Sequence, residues 1–219
     1  MGNGISNDNH VTTANINIVT SLNVSYKSIS DLTGIEDFTS LEELYAGNNT
    51  LTELHAPSNL EKLYVMDNDL QELDLAETPN LIHLYCSNNT NIGIGTSTTS
   101  GELLLGEAGD LQILVADNCS LNSLDFQDNE DLTYVNVNSN KLQDVNFIGL
   151  ENCTEFYANN NSISVLTNMD NAEVLEQLEI GNQEDDFGVK TLTGTLDFDD
   201  MSALENLSIY SNAITELTC

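Results

Sequence analysis

Two stretches, LEELYAGNNTLTEL at 41–54 and LEKLYVMDNDLQEL at 60–73, superimpose residue for residue on one frame, L-x-x-L-x-(L/V/A/C)-x-x-N-x-L-x-x-L. The frame recurs at Leu81 (LIHLYCSNN), Leu111 (LQILVADNCSLNSL), Leu132 (LTYVNVNSNKLQDV), Cys153 (CTEFYANNNSISVL), Leu175 (LEQLEIGN) and Leu204 (LENLSIYSNAITEL), after a first, looser copy from Val19. Successive starts lie 22, 19, 21, 30, 21, 21, 22 and 29 residues apart. One such unit cannot bury its own apolar edge, so the units must stack into a quasi-one-dimensional coil with a continuous core.

A repeat of this length and apolar spacing resembles the leucine-rich repeat family. The resemblance implies a horseshoe solenoid with a parallel β-sheet on its concave face. Return arms such as TELHAPSN and QELDLAETPN are short, carry Asp, Asn and Pro, and lack a helical period. They are expected as extended or single-turn 3-10 segments on the convex face. The stretch ISDLTGIEDFTSL resembles the return arm of internalin-like bacterial repeats. ANINIVTSLNVS and LYCSNN resemble secreted leucine-rich repeat proteins of Bacteroidetes-type bacteria. That likeness implies a secreted or cell-surface protein and a role in recognition or adhesion.

Residues 1–18 carry no frame and are expected as an N-terminal cap, with Val11, Ile16 and Ile18 available to cover the first coil. Residues 19–219 form the repeat domain of about nine coils. Two coils are oversized, with insertions near 90–102 and 183–194, and insertions of this kind emerge on one edge of a solenoid. The sequence stops at Cys219 inside a repeat, and its first residues lack the basic and apolar regions of a signal peptide, so the expectation is a piece of a longer exported protein.

Composition excludes several functions. Four Lys, no Arg and 36 acidic residues give a net charge of −32, which repels phosphate backbones and anionic lipid. Neither nucleic-acid binding nor membrane insertion is expected. Cys86, Cys119, Cys153 and Cys219 fall at frame positions on separate coils and read as small buried residues, without metal-ligand spacing. His10, His55 and His83 are likewise dispersed, with no nucleophile or oriented third group beside them, and no phosphate-binding glycine motif precedes a helix. The chain is therefore not expected to be an enzyme.

Within the frame, the ninth residue is Asn49, Asn68, Asn89, Asn140, Asn161 and Asn212 in six coils. A carboxamide has both donors and an acceptor, so at the turn out of the strand it can satisfy backbone groups of adjacent coils. Strand alternation sends the fourth and sixth residues inward and the third, fifth and seventh to the concave face. The tyrosines then sort themselves. Tyr45, Tyr64, Tyr85 and Tyr157 take the fifth position, Tyr134 the third and Tyr210 the seventh, while Tyr26 adjoins at the eighth.

Strands about 4.8 Å apart bring Tyr45, Tyr64 and Tyr85 into a ladder flanked by Glu43, Lys62, Met66 and His83. Two readings stand side by side: aromatic pairs that hold the sheet, or a binding patch in which Tyr supplies rigid amphipathic contact. The patch would comprise Tyr45, Tyr64, Tyr85, His83, Tyr134, Tyr157, Tyr210, Lys62, Asn136 and Asn159, and would suit a protein or a carbohydrate. A passive spacer, or the targeting arm of a larger exported protein or enzyme, is the alternative. Acidic residues of the coil that starts at Leu175, Asp185, Asp186, Asp197 and Asp199, are candidate calcium ligands, against the reading of a solvated acidic surface. No other cofactor is implied.

Overall fold

The computed structural model describes residues 16–75, 77–92, 103–105 and 108–218. Most of the expected cap (1–15), most of the first insertion (93–102) and Cys219 lie outside the described residues. Of the cap's remaining residues, Ile16 is half-buried and Ile18 is 73 % exposed.

The frame's third to fifth residues form one short strand in each of nine coils. These are β1 (Ser21–Asn23), β2 (Glu43–Tyr45), β4 (Lys62–Tyr64), β6 (His83–Tyr85), β7 (Ile113–Val115), β8 (Tyr134–Asn136), β10 (Glu155–Tyr157), β12 (Gln177–Glu179) and β14 (Asn206–Ser208). They pair in that order as one parallel sheet of nine strands. Each frame position lies opposite its counterpart, as in Glu43↔Lys62, Leu44↔Leu63 and Tyr45↔Tyr64. The register follows from the side-chain period of two, since a slip of one residue would turn every leucine out to solvent. Leu44, Leu63, Leu84, Leu114, Val135, Phe156 and Leu178 are fully buried, each stabilising the stack by about 1.5–3 kcal/mol.

On the return side, β3 (Glu53–His55) pairs with β5 (Glu72–Asp74), β9 (Asp144–Asn146) with β11 (Val165–Thr167), and β13 (Thr193–Asp197) with β15 (Ala213–Thr218). Single 3-10 turns at Ile35–Asp37 and Met169–Asn171 complete the arms. Both expected kinds of arm are present. Neighbouring extended arms also hydrogen-bond to each other, a pairing that the spacing of one coil alone does not reveal.

The inward asparagines bridge coils. Asn68 donates through Nδ2 to Ala46 O at 3.1 Å and Val65 O at 3.0 Å, and its Oδ1 accepts from Leu51 N–H at 3.0 Å. Asn49, Asn89, Asn140 and Asn161 repeat this pattern, so each coil satisfies the turn of the coil before it. Gln183 takes over in the coil that starts at Leu175, donating to Ala158 O at 2.8 Å and accepting from Ile163 N–H at 3.0 Å. It stands at the frame's ninth position and belongs to the ladder, so the expected insertion near 183–194 begins after it. The eighth position is uniform in backbone conformation and not in side chain. Tyr26, Asn48, Asp67, Asn88, Asn118, Ser139, Asn160, Asn182 and Ser211 all have φ between 53° and 59° there. Asn and Asp tolerate this left-handed region better than most residues, which explains part of the asparagine excess.

Cys86, Cys119 and Cys153 are buried free thiols, and burial pushes Cys153 up to about 12. Cys119 stands in the Asn ladder but offers only a thiol, 3.3 Å from Cys86 O. Cys119→Asn is therefore expected to stabilise the protein by about 1 kcal/mol, the net value of a restored hydrogen bond. Urea titration checks this, and an unchanged or lower midpoint would count against the ladder's energetic role.

Candidate functional site

The concave face is the outward side of the nine-stranded sheet. In-register pairing aligns the fifth-position tyrosines, and Tyr45 and Tyr64 stack with centroids 4.6 Å apart and planes 7° from parallel. Tyr64 and Tyr85 continue the stack at 4.8 Å and 13°. Tyr64 is thus covered on both faces and Tyr45 and Tyr85 on one face each. Val115 ends the row on β7.

Beside the stack, Lys62 Nζ pairs with Glu43 Oε1 at 2.9 Å, and Glu43 Oε2 accepts from Tyr45 OH at 3.2 Å and Ser21 Oγ at 3.3 Å. The Lys62 ammonium holds the Glu43 carboxyl below the usual range, and Glu43 in turn raises Lys62. Burial raises the phenols of Tyr45, Tyr64 and Tyr85, aided at Tyr45 by Glu43, so all three remain hydrogen-bond donors at neutral pH.

His83 sits between Lys62 and Ile113 in the third-position row. Burial, and then the Lys62 charge, lower its pKa, so the folded state favours neutral imidazole. Protonation costs more in the folded than in the unfolded chain, so His83 destabilises the fold as pH falls through the unfolded value of about 6.5. Stability is expected to fall less between pH 7.5 and pH 5 in His83→Gln than in the parent, as read by urea titration at each pH. Equal losses in both would show that His83 is not the group responsible.

A second aromatic group lies further along. Tyr134 on β8 and Tyr157 on β10 meet at 5.5 Å with planes 43° apart. Tyr157 OH donates to Glu155 Oε2 at 2.6 Å, and burial and Glu155 together raise its pKa. Asn136 and Asn159 share this region. Asn136 Oδ1 accepts from Asn138 N–H at 3.1 Å. Asn159 is buried, accepts from Gly181 N–H at 2.7 Å and donates to Glu179 at 2.8 Å, which leaves it little to offer a ligand. Tyr210, on the last coil, lies across Gly181, where an added Cβ would stand 2.1 Å from the ring. The structure thus places the patch residues on one face in two aromatic groups, with Tyr210 at its far end.

Glu155 and Glu179 belong to this face as well. The same alternation that located the tyrosines could have located them, at the third and fifth positions. The four aspartates considered for calcium do not converge. Asp185 caps its own loop, accepting from Phe187 N–H at 2.9 Å and Val189 N–H at 2.8 Å, whereas Asp197 accepts from Asp199 N–H at the end of β13. Among the described residues no group of three or more His, Cys, Asp or Glu could hold a metal ion. No helix among them is long and apolar enough to cross a membrane.

Solved structures match the whole run of coils. Internalin C2 of Listeria monocytogenes superimposes with a TM-score of 0.64, at 18 % identity over 94 % of this chain and 84 % of that one. The leucine-rich repeat domain of APL1B gives 0.63 at 17 % identity, over 93 % of this chain and 73 % of that one. The fold is that of leucine-rich repeat proteins. A leucine-rich repeat protein of Leptospira interrogans is similar as well, with a TM-score of 0.53 at 19 % identity, over 93 % of this chain and 69 % of that one. No protein-family model matches the chain, and no curated protein is similar to it in sequence. At these identities the leucine-rich repeat likeness establishes the fold and leaves the ligand to be argued from the concave residues.

Proposed function

We propose that the chain is a non-catalytic recognition module that binds a protein through its concave face, outside the cell, in adhesion at a bacterial surface. The observation that carries this reading is the Tyr45–Tyr64–Tyr85 stack, part-exposed on a sheet face that nothing covers among the described residues. Tyrosine gives contact area at low entropic cost and hydrogen bonds at its tip, and it is enriched in protein interfaces. Protein is favoured over carbohydrate by ring orientation. A sugar needs an open ring face to lie against, and stacking closes both faces of Tyr64 and one face each of Tyr45 and Tyr85. The likeness to an internalin supports the reading by analogy of fold.

Adhesion of the chain, coupled to beads, to a panel of cell types provides the test. Substituting Tyr45, Tyr64 and Tyr85 together by Ser is expected to lower adhesion about tenfold or more, as for loss of an interface hot spot. The corresponding triple Phe variant keeps the stack and removes the hydroxyls, separating loss of contact from loss of folding. Unchanged adhesion with an intact circular dichroism spectrum would identify a spacer or targeting arm instead. Binding to a glycan array that the Ser variant abolishes would replace protein by carbohydrate.

A further inference from the structure

The two aromatic groups of the concave face differ in charge and in geometry. Around the Tyr45–Tyr85 stack, Glu43 is neutralised by Lys62. From β7 to β12 the face carries Asp117, Glu155 and Glu179, and none of the four Lys lies on those strands. Their partners are neutral: Ser87 Oγ donates to Asp117, Tyr157 OH to Glu155, and Gln177 Nε2 and Asn159 Nδ2 to Glu179. Among the described residues, three part-exposed carboxylates are therefore left without a counter-charge, on a sheet face that none of those residues covers.

Pairing fixes how rings and carboxylates alternate. Tyr134 lies opposite Glu155, and Tyr157 lies opposite Glu179, so each ring has a carboxylate on the adjoining strand. Tyr134 and Tyr157 are both part-exposed and meet at a 43° tilt, so their rings do not stack as those on β2, β4 and β6 do. Ring faces attract cations through their quadrupole, and carboxylates accept the planar fork of a guanidinium in bidentate fashion. The negative field is concentrated enough that Glu155, Asp117 and Glu179 all contribute to raising the Tyr134 phenol, after burial.

We infer that the β7–β12 part of the concave face docks an arginine-rich segment of the protein partner, with guanidinium groups seated between Tyr134, Tyr157, Asp117, Glu155 and Glu179. The inference rests on the concave-face reading above and adds the chemistry of the partner. The surrounding charge of −32 steers such a segment inward and disfavours an acidic one.

The probes are a twelve-residue peptide of alternating Arg and Ser and its Glu counterpart, titrated calorimetrically against the chain in about 0.15 M salt, where long-range attraction is screened. Two variants remove the same charge from different faces: Asp117→Asn/Glu155→Gln/Glu179→Gln on the concave side, and Asp128→Asn/Glu130→Gln/Asp131→Asn on an exposed return arm. Thermal melts establish that both fold. The expected result is Arg-peptide binding that weakens about tenfold in the concave variant and less than about twofold in the return-arm variant, with no binding of the Glu peptide. Equal weakening in both variants would reduce the effect to diffuse attraction, and absence of Arg-peptide binding to the parent would overturn the inference outright. The stack variant keeps the two ideas apart. If it loses adhesion while the concave carboxylate variant keeps both adhesion and peptide binding, the docking inference fails and the recognition reading stands. If it keeps adhesion, the recognition reading fails.

Discussion

Phe156→Ala is expected to destabilise the chain by about 3–5 kcal/mol, the cost of deleting a large buried ring and leaving a cavity that its neighbours cannot close. Phe156 is fully buried and is the inward residue of β10, where the other coils carry Leu or Val. Its ring meets Phe126 edge-on at 6.0 Å and Phe147 at 5.6 Å, so one substitution removes contacts to the return arms of two earlier coils. Stability of a stacked chain is a sum of coil terms and nearest-neighbour terms, so a weak interior coil also uncouples the halves on either side. A urea melt followed by circular dichroism should show a lower midpoint and a broadened or two-step transition. A single transition at the parent midpoint would mean that these rings are not the seam between coils.

The second large effect is expected from Asn89→Ala, at about 3 kcal/mol, since it strips partners from several buried backbone groups at once. Asn89 is fully buried, donating to Val65 O at 2.9 Å and Cys86 O at 2.8 Å and accepting from Leu70 N–H at 3.1 Å. For a chain of this length the thermal midpoint should drop by about 6–12 °C. Asn88→Ala is the matched control. Its side chain is exposed and hydrogen-bonds to Asp67 and Asn118 at the surface, its backbone has φ 59°, and its loss costs about 1–2 kcal/mol, from those exposed bonds and from holding Ala in the left-handed region. Equal losses at the two adjacent positions would remove the ladder's special standing.

Why these residues could be found in the sequence, and others not, has a physical basis. Leu44, Leu63 and Leu84 announce the coil because burial admits few alternatives at an inward position, and repetition makes the pattern visible. The same alternation correctly put Tyr45, Tyr64 and Tyr85 on one row. It carries no information on how the rings turn about their side-chain bonds, and that rotation stacks these three rings while Tyr134 and Tyr157 meet at a tilt. Gln183 escaped because one extra methylene still reaches the same carbonyl, a tolerance that a strict Asn frame does not express. The left-handed eighth position escaped for a similar reason: Tyr26, Asn48, Asp67 and Ser139 share a backbone conformation without sharing a side-chain chemistry. The convex pairs, such as β9 with β11, depend on two arms having equal reach, which is a property of neighbours and not of one repeat.

The asparagine ladder has one further consequence. Asn68 accepts from the turn of the preceding coil, and the corresponding N–H of its own coil is left to Asn89, so a coil that carries this Asn arrives with the fitting for the one before it. A unit such as residues 60–80 is thus a self-fitting cassette. Duplicating or excising it would lengthen or shorten the concave face by one rung of about 4.8 Å while keeping each remaining row in line. The reach of the face can be retuned by counting rungs, independently of the side chains each rung displays.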